Sequence, residues 1–355
     1  MKIVILGDVH IGCRNDSIQF HRHLSKFYEH CLFPFMEEHN IKDILQTGDL
    51  FDRRKYINFN SMYLAKKYLF DPMYVKDITF HTLIGNHDVY FRDKLDVNST
   101  QLLLDGYDNI FVYDRPTTVS FGGAAIDIIP WICDDNEQQI KQFINNSKST
   151  LCIGHFELSG FEMYIGSVFT GGMDRSELSK YDMVFSGHFH HKSSTGNINY
   201  VGTPYELTWA DYNDPRGFHV FDTSTRDLIF IENPFKLFHK IIYDGDQETK
   251  FTIRSKQFSR YNETIVKVIA TNKKNVVLFD SFMDLLYKVG PFDVSIVEDF
   301  VDYSSVAVDD VVDQSDDAIT SIEKYIDNIG VSLDKQRLKN YMRTVYTESQ
   351  NLQGI

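Results

Sequence analysis

Five apolar runs between Ile3 and His190 each close on a glycine that is followed at once by a residue able to hold a metal. The junctions are Gly7-Asp8, with His10 two residues on, Gly48-Asp49, Gly85-Asn86, Gly154-His155, and Gly187-His188, with His190 two residues on. A short apolar run bounded by glycine reads as a buried strand. In open α/β sheets the carboxyl ends of strands are where ligands bind. Asp8 and His10 alternate, so an extended chain can aim both side chains the same way. One such junction has a plain alternative, a surface carboxylate beside a capping histidine. Five in succession are hard to produce from packing needs alone, because buried histidines are costly unless satisfied.

Composition narrows the class further. The chain has 355 residues, 43% of them hydrophobic, with 28 Phe and 20 Tyr. That is enough for a sizeable core and more than one domain. Cys13, Cys31, Cys133 and Cys152 lack CxxC spacing, which argues for a reducing compartment and against a disulfide framework or a zinc knuckle. The start, MKIVILGDVH, is too short in its apolar part for a signal peptide, and no run is long enough to span a bilayer. The expected location is therefore the cytoplasm. A formal net charge of -14 speaks against a broad basic surface for nucleic acid. It does not speak against nucleic acid reached through bound divalent cations, which invert the local potential.

Taken in order, the pattern predicts a strand, a helix from Ile18 to about Glu38 with Pro34 as a kink, and a second strand through Ile44 and Leu45. That is a βαβ unit with a right-handed crossover. A helix over Ile57–Phe70 and a short one over Ser99–Leu104 carry more apolar residues than one sheet face needs. Their surplus fits either core packing or a two-fold homodimer surface. From Asn109 to Pro130 short strands alternate with turns. Glu137 to Asn145 is a helix, and two more strands lead into His155 and His188. Residues 1–235 thus read as two α/β halves whose strands form two packed sheets. Residues 236–300 read as a small α/β capping domain, with a helix over Ser281–Val289 capped by Asp280. Residues 301–317 carry many Asp and no Lys or Arg, an exposed acidic linker. Residues 318–355 hold two amphipathic helical stretches, able to dock on their own domain or in a partner's groove.

The strand ends supply Asp8, His10, Asp49, Asn86, His155, His188 and His190, too many N/O ligands for one ion unless several are idle. They suit two divalent ions sharing Asp49 as a bridge. One ion would take Asp8, His10 and His190, and the other Asn86, His155 and His188. Imidazole and carboxylate without thiolate favour Mn²⁺, Fe²⁺, Co²⁺ or Zn²⁺ over Ca²⁺. Asp52 and Asp88 are candidates to orient ligands from behind. Two such ions about 3.5–4 Å apart are the standard device for in-line displacement at phosphorus. His87 follows Asn86 and would face the substrate, where it could donate a proton to the leaving oxygen. The alternative for His87 is a redundant ligand or a structural histidine. Arg53, with Arg54, Lys55, Arg92, Lys94 and Lys192, could position an anionic substrate.

The set DVH (8–10), GD (48–49), GNHD (85–88), GH (154–155) and GHFH (187–190) resembles the calcineurin-like metallophosphoesterases. The longer runs LGDVHIG (6–12), GDLFDRRK (48–55) and GHFH leading into NYVGTPYEL (199–207) are similar to one branch, the SbcD-like double-strand-break repair nucleases, including those of T4-like bacteriophages. The resemblance implies a two-sheet α/β sandwich with a small α/β cap and C-terminal partner-binding helices. It implies a Mn²⁺-dependent DNA nuclease, combining 3′→5′ exonuclease with single-strand and hairpin endonuclease activity, that processes ends for recombination and repair. It also implies a homodimer and an SMC-like, SbcC-type ATPase bound through residues 318–355. Location would be the cytoplasm, of the infected host if the chain is phage-encoded. Many relatives carry His where this chain has Asp52, a change that bears on DNA positioning more than on metal binding. A phosphatase or phosphodiesterase acting on a non-DNA substrate is the other enzymatic reading. A non-catalytic scaffold is disfavoured because every expected ligand type is present.

Overall fold

A computed structural model describes residues 1–298 together with Ile326, Lys335, Lys339 and Met342. The chain divides into two compact units, Met1–Phe300 and Val301–Ile355. The acidic linker expected at 301–317 and the paired helices expected at 318–355 lie outside the described residues, those four positions aside.

The first unit is built on two six-stranded sheets. One runs in the order Leu228–Glu232, Gly217–Asp222, Lys2–Leu6, Asp43–Gln46, Thr79–Leu83, Ile110–Tyr113. The four strands from Lys2–Leu6 onward are parallel, and the pair that closes the sheet is antiparallel. The second runs Ser193–Thr195, Ile198–Tyr200, Met183–Gly187, Leu151–His155, Ala124–Ile129, Thr117–Phe121, parallel in its middle and antiparallel at both edges.

Alternation along the strands stacks the layers. Ile3 and Ile5 face one way and join Leu45, Leu83, Ile126, Ile153, Phe185 and Phe221 in a core shared by both sheets. Val4 and Leu6 face the other way, against Phe20, Leu24, Phe27 and Phe70 from the helices outside. The second sheet is covered on its far side by Ile140 and Ile144 of the helix Glu137–Asn146. The inner strands of both sheets are therefore buried on both faces and read as apolar runs, while edge strands such as Thr117–Phe121 and Leu228–Glu232 keep alternate residues exposed. The expected two-sheet α/β sandwich is the observed one.

Two helices run through prolines by the same local change. The segment Ile18–Glu38 does not end at Pro34. A wide π turn, Tyr28–Leu32, comes first, and the Phe33 N–H reaches back to Tyr28 C=O. The second helix starts at Phe59, capped by Asn58, and passes Pro72 to Val75 after a π turn at Lys66–Phe70. Proline lacks an N–H and its ring crowds the carbonyl four residues back. A turn bonded five residues back moves that carbonyl aside.

A third, parallel three-stranded sheet follows, Phe238–Asp244, Ile265–Asn272 and Asp293–Glu298. Its helix begins at Val276, not at Ser281: Asn275, not Asp280, accepts the Leu278 N–H and caps it. Leu278, Phe279, Phe282, Met283 and Leu286 keep one buried stripe along it. Glu206 lies buried under the entry to this sheet and accepts the N–H groups of Leu237 (2.6 Å) and Phe238 (2.9 Å). No helix among the described residues is long and apolar enough to cross a membrane.

Candidate metal centre

The five strand ends meet at one edge of the sandwich. Asp8, His10, Asp49 and Asn86 come from the first sheet, and His155, His188 and His190 from the second. Asp8, His10, Asp49, Asn86 and His155 are each 2% exposed or less.

Glycine before each ligand is explained mainly by crowding. A Cβ on Gly187 would lie 2.3 Å from Asp8 Oδ1, and one on Gly85 would lie 2.2 Å from Asp49 Oδ1. Gly48 also needs its backbone freedom, with φ at 95°, and a Cβ there would meet His155 Nδ1 at 2.7 Å. His10, Asp49 and His188 themselves adopt positive φ (51°, 52° and 85°), a conformation disfavoured for such residues and concentrated at functional sites.

Two ligand sets emerge. Asp8, His10 and His190 bring a donor atom each within 4.8 Å of one another, and so do Asp49, His155 and His188. Asn86 sits with the second set: its Oδ1 accepts from His155 Nε2 at 2.8 Å and lies 3.1 Å from His188 Nδ1. Asp49 Oδ2 is 3.3 Å from His155 Nε2 and 3.9 Å from His10 Nε2, so one carboxylate reaches both sets. His10, Asp52 and His87 make a third close set.

The charges are arranged around Asp49. Burial pushes its carboxyl up, but His155, His87 and His10 outweigh that and hold it well below the usual range. Burial opposes a proton on His10, yet Asp52 and Asp49 lift its pKa to about 9. Asp49 does the same for His155 against burial, again to about 9. Asp8 is pushed up to about 7, chiefly by burial. Protons and cations thus compete for the same lone pairs. The donor set, neutral-capable imidazoles with carboxylates and one amide oxygen, fits first-row divalent metals, and the convergence of so many buried donors fits a cation at each set.

His87 lies half-buried beside these residues. Its Nδ1 donates to Asp52 C=O at 2.7 Å, its ring stands edge-on to His10 with centroids 4.9 Å apart, and its backbone N–H donates to Asp49 Oδ1 at 2.7 Å. With Nδ1 engaged, Nε2 is left for a substrate. Burial lowers its pKa. Asp52 Oδ1 lies 3.4 Å from His10 Nδ1, an ion-pair distance that favours the charged ring. Asp88 orients no ligand side chain. It is fully buried and accepts the backbone N–H groups of Phe51 (3.0 Å) and Gly85 (2.9 Å), tying the Asp49 loop to the Asn86 loop. The Arg53 guanidinium is engaged by Asn15, Tyr56 and Asp16, under an unusual left-handed turn of Arg14, Asn15 and Asp16.

Sequence reading missed the residues that hold the loops from behind. Gln46 donates to Gly7 C=O (3.2 Å) and Gly48 C=O (2.5 Å), joining the first two loops. Tyr205 OH donates to Val9 C=O at 2.6 Å. Arg216, buried between Asp211 (2.7 Å) and Asp214 (2.8 Å), donates to His190 C=O. A glutamine closing a strand of buried residues was a usable signal for Gln46. Nothing local marks Arg216.

Known proteins match most of this chain. A family model described as calcineurin-like phosphoesterase matches residues 1–192. Exonuclease subunit 1 of Enterobacteria phage T4 is 35% identical over 354 residues, covering 98% of this chain and 99% of that protein. A subunit of the SbcCD nuclease of Staphylococcus epidermidis is 24% identical over 301 residues, covering 74% of this chain and 77% of that protein.

Proposed function

The chain belongs to the calcineurin-like phosphoesterases, and from that premise we propose that it cleaves DNA with two divalent ions, Mn²⁺ in the cell. A metal-dependent DNA nuclease is the coarse assignment that the family and the nuclease names of both relatives support together. The observation that carries the finer reading is the reach of Asp49 into both ligand sets, 3.3 Å to His155 and 3.9 Å to His10.

In this reading Asp8, His10 and His190 would hold one ion, and Asn86, His155 and His188 the other, with Asp49 able to serve both sets. Bound there, divalent ions would supply Lewis-acid activation of the phosphate and a nucleophilic water. The chain's own contribution is positional. Asp52 would steady His10, Asp88 fixes the two loops that carry Asp49 and Asn86, and His87, charged by a second proton on Nε2 once an anionic phosphate lies beside it, would give that proton to the leaving oxygen. Arg53 steadies the loop beside the substrate rather than reaching the phosphate. The ions also offset the charge of an acidic protein meeting a polyanion.

The activities we assign are 3′→5′ exonuclease and single-strand and hairpin endonuclease, serving recombination and double-strand-break repair in the cytoplasm of an infected bacterium. A homodimer forms through the helix Phe59–Val75 and the helix Ser99–Leu104, where Phe59 and Leu102 are 92% and 71% exposed. The domain limits are 1–235 for the nuclease, 236–300 for the cap, 301–317 for the linker and 318–355 for a segment that binds an SMC-like, SbcC-type ATPase. The names of both relatives as subunits support a partner.

The test is cleavage of end-labelled single-stranded, hairpin and duplex DNA with Mn²⁺, Mg²⁺ or EDTA. Hairpin opening and stepwise shortening from 3′ ends with Mn²⁺ are expected. Phosphatase activity on nucleotides or phosphoproteins without DNA cleavage would overturn the reading. Removing residues 318–355 is expected to leave cleavage intact and to abolish co-purification with the ATPase.

A further inference from the structure

A cavity of about 350 Å³ opens beside the metal centre and shares His155 with it. One wall is Trp131, whose ring lies edge-on to His155 (centroids 5.8 Å apart) and tilted against His188 (5.3 Å). Ile140, Phe156 and Met173 add an apolar lining. Glu157 contributes a carboxylate, its Oε1 3.8 Å from His188 Nε2. The cavity's one lysine, Lys141, is already engaged by Glu137 at 2.7 Å and Glu177 at 3.7 Å.

The chemistry of that lining selects its occupant. A phosphate finds no free cation there and faces carboxylates. A flat, weakly polar ring with amino hydrogens on its edge finds an aromatic face, apolar packing and an acceptor. Such a ring also has to be joined to a phosphate seated at His155 and His188, a few ångströms away. A nucleobase on the nucleotide that carries the scissile phosphate meets all three conditions.

We propose that this cavity receives the base of the nucleotide flanking the scissile phosphate, so that cleavage requires that nucleotide to be unpaired. The proposal rests on the nuclease reading above and adds a selection rule to it. A base inside a duplex is held by its partner and its neighbours. Entering the cavity costs that pairing, and least where the strand is already single, frayed or bent into a loop.

The test uses the full-length protein with Mn²⁺ and a single-stranded oligonucleotide in which a tetrahydrofuran abasic residue is moved one position at a time past a fixed cleavage site. Loss of the flanking base is expected to lower kcat/KM at that bond about tenfold, the scale of one base stacked on an aromatic ring, while an abasic residue three positions away changes little. Trp131→Leu is expected to lower kcat/KM on the intact strand by a similar factor and to add no further loss on the strand abasic at the flanking position. Losses that multiply, or equal cleavage of the intact and abasic strands, would overturn the proposal. Because Trp131 touches two candidate ligands, Mn²⁺ binding is measured alongside. If it falls, Met173→Trp, which fills the cavity from another lining residue and leaves Trp131 in place, decides: the abasic penalty should vanish in that variant, and its persistence would overturn the proposal. An enzyme that cuts no DNA at all would instead sink the nuclease reading itself.

Discussion

The Nε2 atoms of His10 and His190 lie 3.1 Å apart although 180 residues separate them in the chain. Without metal, one ring can donate its Nε2 proton to the other's lone pair at that distance; with metal, both can turn their lone pairs to one cation. Their rings come from different sheets, and Asp8 completes the set with its Oδ2 at 3.9 Å from His190 Nε2. His190→Ala is therefore expected to remove one of two Mn²⁺ equivalents in titration calorimetry. DNA cleavage should fall by more than the roughly 10–100-fold typical of residues that only support ligands. Retention of both equivalents would place His190 outside the centre.

His87→Ala separates proton transfer from metal binding. Its Nδ1 is committed to Asp52 C=O, so the proton-carrying atom in our reading is Nε2. Cleavage is expected to drop about 10²–10⁴-fold, the scale of a positioned acid, with both Mn²⁺ equivalents retained. Loss of an equivalent would make His87 a ligand in the set it forms with His10 and Asp52.

The raised pKa values of His10 and His155 give a pH signature without metal. Each sits at about 9 in the folded protein, against an ordinary value of 6.5. Below pH 6.5 both rings are protonated folded or unfolded, and the stabilisation from Asp49 and Asp52 is complete. Between 6.5 and 9 the unfolded chain sheds these protons first, so the stabilisation fades as pH rises. The Tm in EDTA should fall across that window. With saturating Mn²⁺ the fall should shrink or reverse, because a cation replaces the protons. Calorimetry at pH 8 in buffers of different ionisation enthalpy should register proton release on Mn²⁺ binding.

The dimer surface is testable by charge. Phe59 (92% exposed), Tyr63 (63%) and Leu102 (71%) leave apolar area uncovered on one side of the first unit. A stable two-fold contact needs about 800 Å² from each partner. The full-length protein is expected to sediment as a dimer and the Phe59→Asp, Leu102→Asp double variant as a monomer. A dimer that survives both charges would move the interface elsewhere.

The centre was legible because its signals are local. A glycine, a carboxylate or a histidine at the end of an apolar run can be read without knowing what packs against it, and the seven ligand candidates Asp8 to His190 all came that way. The elements that depended on context were harder. The kink expected at Pro34 is a π turn one step earlier, and the helix expected to end at Phe70 runs on through Pro72 to Val75 after a similar turn. Val276 and Val277, exposed at 61% and 71%, resemble strand or loop residues until the buried stripe from Leu278 onward is seen in three dimensions. The hairpin Glu162–Val168 and the left-handed turn at Arg14–Asp16 left no periodic pattern. Arg216 supports His190 only after the chain has folded back over 26 residues.

The tight seats of Gly187 against Asp8 and of Gly85 against Asp49 leave no room for even one methyl group. A centre assembled that closely from two layers is also a fastener. Whatever ion it grips rivets one half of the sandwich to the other, so a chelator should loosen the whole molecule along the seam and leave each half more open to proteases, well before either half comes apart by itself.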